Sequence, residues 1–425
     1  MTLDGRLFGE NAEMVSDTDF RLLLAANAMG ALGTALVSPV LSSLTEPFNV
    51  SAAEIGLIVT AVAAPSVVLI PLSGLLTDRI GRKPVLVLGL LCFGIGGLGI
   101  AFTTSFRVVL GLRALQGVGF AGITPVIITS LGDLYENDSE ATAQGIRFGV
   151  SGLSQALFPA IAGVVVGVAW QYPFLIYGLA IPIALLLLLF FREPTAVVNT
   201  KSDEQSFEGR YVVRLWQIAS CPHVVAYLVA RGVVVLPFIG FLTYNSLVII
   251  RLHGGSPGQA GLLVALFSVV YAITSTQAGR IAARFNRTTV PLISANVLLG
   301  GGLAAFALST SVFAAGLPVV AMGVGVGITF SLYRSIITGL APQQFRGGLV
   351  SIAESGGRAV ATLTPIAIGV ALTHVEPVLG PESALRWIVV AAGLLATAVG
   401  VASVIFAHAS APVSGPDRVS GPDRH

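Results

Sequence analysis

The 425-residue sequence is 54% hydrophobic and only 10% charged, whereas a soluble domain carries about 25% charge. Its 23 basic and 21 acidic residues leave a net charge of +2, too balanced for a nucleic-acid-binding surface. So few charges cannot cover a water-facing surface of this size, and the excess apolar surface is expected to face lipid.

A membrane-crossing helix needs about 20 mostly apolar residues, and twelve such stretches follow one another along the chain. The first six cover about 20–44, 53–76, 84–104, 107–131, 143–168 and 173–191. The second six cover about 223–250, 258–280, 289–309, 312–336, 348–372 and 385–408. None alternates as a strand would, and an isolated strand cannot satisfy its backbone in lipid, so all are expected to be helices. Residues 1–19 carry Asp4, Glu10, Glu13, Asp17 and Asp19 where a secretory signal would be basic, so the first span is expected to be retained. An even number of spans puts both termini on one side. With that side cytoplasmic, only Arg107, Arg251 and Arg386 among the basic residues outside the spans face outward. A multi-pass protein of the cell membrane with cytoplasmic termini is therefore expected. Trp170, Tyr172, Trp216 and Trp387 flank spans, where aromatic rings prefer the headgroup layer.

Taken in chain order, the first span offers Asn27 and no acid. The second and third are joined by Gly74-Leu75-Leu76-Thr77-Asp78-Arg79-Ile80-Gly81-Arg82-Lys83, a tight turn whose glycines allow close or positive-φ backbone. The fourth span reads Arg113-Ala114-Leu115-Gln116-Gly117-Val118-Gly119-Phe120-Ala121 and ends near Asp133. An arginine this deep is expensive to bury and needs a polar setting. The fifth span holds Arg147, Gln155, Pro159 and Gly163. A polar interruption at about 192–222 then separates six spans from six.

Shifting the chain on itself by about 205 residues places Gly74, Arg79 and Arg82 on Gly279, Arg284 and Arg287. Such a parallel repeat is the mark of a carrier built as two bundles around a midplane site. The expected organisation is an N-terminal six-helix bundle over 1–191, a cytoplasmic linker over 192–222, a C-terminal six-helix bundle over 223–409 and a disordered tail over 410–425. In that tail Val-Ser-Gly-Pro-Asp-Arg is written twice.

The loop Gly74–Lys83 resembles, in nearly every position, the loop between the second and third spans of the major facilitator superfamily. The resemblance implies an all-α integral membrane fold of twelve transmembrane helices in two pseudo-symmetric six-helix bundles. It also implies that Gly74, Asp78, Arg79, Gly81, Arg82 and Lys83 form a conformational motif, whose Asp and Arg join Asp133 to hold the outward-facing state. Arg113 and its neighbours look like the family's second motif, whose arginine is linked to proton-coupled exchange. The fifth span departs from the drug–proton antiporters, because Ser154, Phe158 and Ala162 stand where that group has glycine. Helix packing at Phe158 must therefore differ.

Glu354 is the one acid well inside an expected span, about seven residues or roughly 10 Å from the cytoplasmic edge. An intramembrane acid is a functional candidate by default. Arg358 lies four residues on along the same face, Arg147 occupies nearly the pseudo-equivalent place in the first half, and Arg334 lies near this level. Cations so close favour the ionised carboxylate, which argues for a gate more than for a proton carrier. Glu354 is expected to pair across the bundles with Arg147, the competing arrangement being a pair with Arg358. Asn27, Gln116, Gln155, Arg231, Tyr244, Asn245, Tyr271 and Gln277 are the polar candidates for a substrate cavity. A positive interior would favour an organic anion or a neutral solute.

No enzyme is indicated. Gly94-Ile95-Gly96-Gly97-Leu98-Gly99 lies within a span, and Gly254-Gly255-Ser256-Pro257-Gly258 within a short loop, so neither has the strand–turn–helix setting its pattern requires. Lys83 follows Arg82 and Lys201 follows Thr200, which excludes a phosphate-binding Gly-Lys loop. Cys92, Cys221 and five scattered histidines offer no disulfide framework or metal cluster, and no cofactor is expected. The expected protein is a secondary active transporter working by alternating access, a proton-coupled exporter of small hydrophobic or drug-like compounds. Its expected partners are a small-molecule substrate, protons and the lipid bilayer. A monomer suffices, because the pathway lies within one chain. An organic anion or metabolite carrier and a non-transporting membrane sensor are the alternatives.

Overall fold

The computed structural model describes residues 12–33, 35–135, 137–193, 209–285, 288–342 and 345–410. Gly74 and Asp78 are described by their helical backbone alone. Arg287, most of the linker (194–208) and the tail after residue 410 lie outside the described residues.

Among the described residues, eleven helices are long and apolar enough to cross a membrane. We number the crossing segments as spans 1 to 12. Spans 2 to 6 are Leu57–Ile80, Arg82–Gly99, Phe106–Leu134, Asn137–Val165 and Tyr172–Phe190. Spans 7 to 12 are Pro222–Leu252, Pro257–Ala283, Thr289–Leu308, Val312–Gly339, Arg346–Leu379 and Pro381–Ala409. Most of their limits lie within four residues of the apolar runs in the sequence, but span 5 starts six residues earlier and span 11 ends seven residues later.

Span 1 differs. The helix Thr18–Gly30 stops, the chain turns, and a 3-10 segment Ser38–Leu44 completes the crossing. Gly30 and Gly33 lower the helical preference there, and Pro39 has no N–H to extend a ladder. A break at membrane depth is tolerated only where protein surrounds it. Leu32, Leu36, Val37 and Val40 are accordingly buried.

The repeat is visible in local chemistry. Span 2 is entered through a reciprocal cap in which Ser51 N donates to Glu54 Oε2 (2.9 Å) and Glu54 N donates to Ser51 Oγ (3.2 Å). Span 8 is entered the same way, with Ser256 N donating to Gln259 Oε1 (2.8 Å) and Gln259 N to Ser256 Oγ (3.3 Å). The two caps stand at the offset that aligns the halves. Each satisfies donors that a helix start leaves unpaired.

The first six spans and the last six meet along span 5 against span 8 and span 2 against span 11, with Ser38–Leu44 laid against spans 7 and 8. We call the end carrying Arg79–Lys83 the basic end and the other the far end. The inter-half hydrogen bonds seen among the described residues lie toward the far end or the middle: Ser42 N to Ser246 Oγ (3.0 Å) and Thr60 Oγ1 to the Thr362 carbonyl (3.1 Å). At the far end a Cβ on Gly163 would run into the backbone of Pro257, and one on Gly261 into that of Pro159. These two glycines let spans 5 and 8 touch backbone to backbone. Pro159 and Gly163 are the members of the fifth-span pattern that this sequence keeps.

Large apolar side chains point outward on many spans, Phe102, Val168 and Leu189 among them. They supply the lipid-facing surface that the composition demands. Between the halves, Gly209–Ala219 forms a short helix on which Val213 and Trp216 are exposed, as suits a headgroup-level segment.

Candidate transport cavity and conformational motif

Gly81 takes φ +93° between spans 2 and 3, a conformation costly for residues with a side chain. The turn aims Arg82 at span 4, and Arg82 Nε donates to Asp133 Oδ2 at 2.7 Å. Lys83 Nζ donates to the Phe191 carbonyl at 2.8 Å, and Arg79 is exposed. A residue the sequence reading placed only in the linker completes the arrangement. The Glu193 carboxylate accepts the backbone N–H groups of Arg82 and Lys83, the latter at 2.9 Å, and so caps span 3. Its neighbour Arg192 donates its N–H to Asp19 Oδ1 (3.1 Å), and the Tyr135 hydroxyl donates to Asp17 Oδ2 (3.1 Å). Burial, reinforced by the Asp17 charge, pushes the Tyr135 hydroxyl well above its ordinary ionisation range. The basic end of the first half is thus tied together by carboxylates at the start of span 1, the end of span 4 and the end of span 6. An acid directly after a span, two residues beyond its last aromatic, was the available signal for Glu193.

Arg113 is buried at the break in span 1. Its Nη1 donates to Gln116 Oε1 (2.6 Å) and reaches the Tyr177 hydroxyl and the Gly33 carbonyl, both at 3.4 Å. Tyr177 in turn donates to the Leu32 carbonyl at 3.2 Å. The rings of Phe174 and Tyr177 lie 5.9 and 5.5 Å from the guanidinium carbon. Breaking a helix frees carbonyls, and here one arginine and one tyrosine occupy them. Nε and Nη2 of Arg113 have no partner among the described residues.

The central cavity, about 380 Å³, lies between the halves near mid-membrane and is lined from both. Asn27 and Gln155 of the first half and Tyr271 of the second face it, as the sequence suggested. Arg147 and Arg358, singled out as gate residues, line it too. Phe120, Phe148, Ser151 and Phe238 add walls that the sequence did not single out.

The other candidates sit elsewhere, each for a stated reason. Gln116 is spent on Arg113. The Tyr244 hydroxyl donates to the carbonyl of Pro365 (3.2 Å), one of two prolines inside span 11. Asn245 donates to the Ala260 carbonyl (3.0 Å), and Gln277 faces Thr276 and Arg280. Arg231 is buried against Phe330, its guanidinium 4.5 Å from the ring centre. It donates to Glu354 Oε1 at 3.2 Å. Glu354 therefore pairs with neither Arg147 nor Arg358 in this state, because Arg231 of span 7 stands closer. Arg147 instead donates to Gln144 Oε1 (2.8 Å) and Asn27 Oδ1 (3.4 Å). Asn27 returns two bonds to span 5, at the Arg147 carbonyl (3.0 Å) and Ser151 Oγ (2.8 Å).

Two bundles of helices around a shared cavity, with an acidic and basic clasp at one end, define a membrane carrier. A sequence profile of the Major Facilitator Superfamily matches residues 23–251 and 234–422, and the chain belongs to that family. It is a multi-pass membrane protein of the twelve-helix fold, and the transporters of that family are not enzymes. It is 32% identical over 152 residues to the bacillibactin exporter of Bacillus subtilis, a match covering 34% of this chain and 37% of that protein. It is 24% identical over 294 residues to the class H tetracycline resistance protein of Pasteurella multocida, covering 66% and 71%. The quinolone resistance protein NorA of Staphylococcus aureus is 24% identical over 203 residues, covering 47% and 52%. The chain thus spans well under two thirds of the length of the first and third of these relatives. Among solved structures, the fold matches a bacterial homologue of the human lysosomal transporter Spinster, inward-facing and unoccupied, with TM-score 0.80 and 16% identity over 93% of this chain and 98% of that one. It also matches a D-xylose–proton symporter with TM-score 0.72 and 16% identity over 90% and 96%.

Proposed function

We propose that the chain is a proton-coupled secondary exporter of small hydrophobic or drug-like compounds, working by alternating access in the cell membrane with its basic end cytoplasmic. The observation that carries this reading is a cavity with walls from both halves, whose neighbouring inter-half hydrogen bonds lie toward the far end or the middle. Such a seal at one end, around a site shared by two rigid bundles, is the geometry from which rocking exposes the site to the other side. The resistance and exporter names of the relatives favour efflux. Mostly apolar walls with a few polar groups suit compounds of drug size.

In this reading the clasp of Arg82, Asp133 and Glu193 steadies the basic end, and Glu354 is the exchangeable partner. Its side chain is 45% exposed and, among the described residues, is held by a single ion pair. Closing the basic end transfers it from Arg231 toward Arg147. The test is uptake by proteoliposomes of lipophilic fluorescent compounds under an imposed pH gradient. Accumulation that collapses with a protonophore is expected, and gradient-independent movement would overturn the coupling.

A further inference from the structure

The charge of the cavity has no counterpart in its own lining. Arg147 reaches it from span 5 of the first half and Arg358 from span 11 of the second, and no carboxylate lines it among the described residues. Among the described residues, Arg147 donates to neutral acceptors only, Gln144 and Asn27. The guanidinium of Arg358 has no hydrogen-bond or ion-pair partner among the described residues. It lies instead against Phe120 of the opposite half, 5.9 Å from the ring centre. Glu354, one turn from Arg358 and within electrostatic reach of it, makes its direct contact with Arg231 at 3.2 Å. Arg334 of span 10 adds a further positive charge within electrostatic reach of Arg147. A cation in a poorly hydrated site is costly without a counter-charge.

We propose that the substrate supplies the missing charge: an organic anion with a planar apolar body, its carboxylate-like group held between Arg147 and Arg358. This rests on the exporter reading and names the charge class of its substrate. Guanidinium forks match carboxylate geometry with paired donors. The rings of Phe148, 4.2 Å from the Arg147 guanidinium carbon, and of Phe120 leave aromatic faces beside both cations for a flat body. Because the two arginines belong to different halves, a bound anion both neutralises them and joins the halves. Cationic compounds of equal size would add a third positive charge and are excluded.

The test uses three compounds of one shape, 1-naphthoate, 1-naphthamide and 1-naphthylmethylammonium, titrated calorimetrically into the purified full chain in lipid nanodiscs. Naphthoate is expected to bind at least about tenfold more tightly than the amide, with no binding of the ammonium compound. Arg147→Gln and Arg358→Gln should each weaken naphthoate about tenfold or more and weaken the amide much less, while Arg358→Lys keeps part of the affinity. The wild-type ranking stands as a test even if a variant fails to fold. Equal or stronger binding of the amide or the ammonium compound, or no binding of naphthoate, overturns the proposal. Proteoliposome transport of the same three compounds separates this inference from the exporter reading. Naphthoate bound but unmoved by a pH gradient sinks the export reading alone. Gradient-driven movement of the ammonium compound without naphthoate binding sinks the anion proposal alone.

Discussion

Single residues decide what the polar groups within the spans can do. Glu193 holds two backbone donors at the start of span 3, a place where the helix dipole favours a negative group. Glu193→Ala leaves those donors to water and is expected to cost about 1 kcal/mol. A lower midpoint of thermal unfolding in detergent checks this, and an unchanged midpoint would show the cap to be idle. For Glu354 the expectation concerns partners. If Arg147 receives it when the basic end closes, Arg147→Glu and Glu354→Arg should each abolish transport and the double reversal should restore part of it. Failure of that rescue removes the exchange. The sequence showed that Glu354 was special, because an acid in a span is rare, but it could not show which cation it meets. Arg147, Arg231 and Arg358 stand at comparable depth on three different helices, and only the packing of spans 5, 7 and 11 selects Arg231. The same limit applied to neutral groups. Tyr244 and Tyr271 look alike as span tyrosines, yet one bonds the Pro365 carbonyl and the other faces the cavity.

At the scale of elements, the spans after the first were legible, most limits falling within four residues and the start of span 5 and end of span 11 within seven, since about 20 apolar residues between charges leave a helix little alternative. The break in span 1 was not. Its run is as apolar as the others, and glycine and proline are common in membrane helices. The break depends on Arg113 and Tyr177, which come from spans 4 and 6 to occupy its carbonyls. The contact of spans 5 and 8 was half legible: Pro159 and Gly163 stood out, but Gly261 did not. Replacing Gly163 by Val forces a side chain into the backbone of Pro257, and overpacking of this kind costs about 1–3 kcal/mol. Because the contact lies at the far end, the cost falls on the state in which that end is closed. Thr104 and Thr310 are exposed just beyond spans 3 and 9, one in each half. Spin labels at Thr104→Cys and Thr310→Cys, with Cys92 and Cys221 replaced by Ala, read the separation of the halves there. The variant should show a longer distance in a larger fraction of molecules. An unchanged distribution would mean that the contact persists in both states.

For the whole molecule, transport requires that the far end open without either bundle unfolding. Among the described residues the halves are joined by two hydrogen bonds, Ser42 to Ser246 and Thr60 to Thr362, and by close packing at the ends of spans 2, 5, 8 and 11. Each such bond contributes about 1 kcal/mol net, so this seal is weak beside the packing within a bundle. Weak joints between rigid bodies are where hinge and shear motions occur. Fixing one joint should therefore stop transport while sparing the fold. In a chain lacking Cys92 and Cys221, Ser42→Cys and Ser246→Cys joined by a short thiol cross-linker hold the far end shut. Transport should cease on cross-linking and return when a cleavable linker is reduced. Binding of a cavity ligand should survive throughout, because the cavity lies on the basic side of the joint. Undiminished transport after complete cross-linking would show that the halves do not part at this end, and the pathway would have to leave the cavity elsewhere.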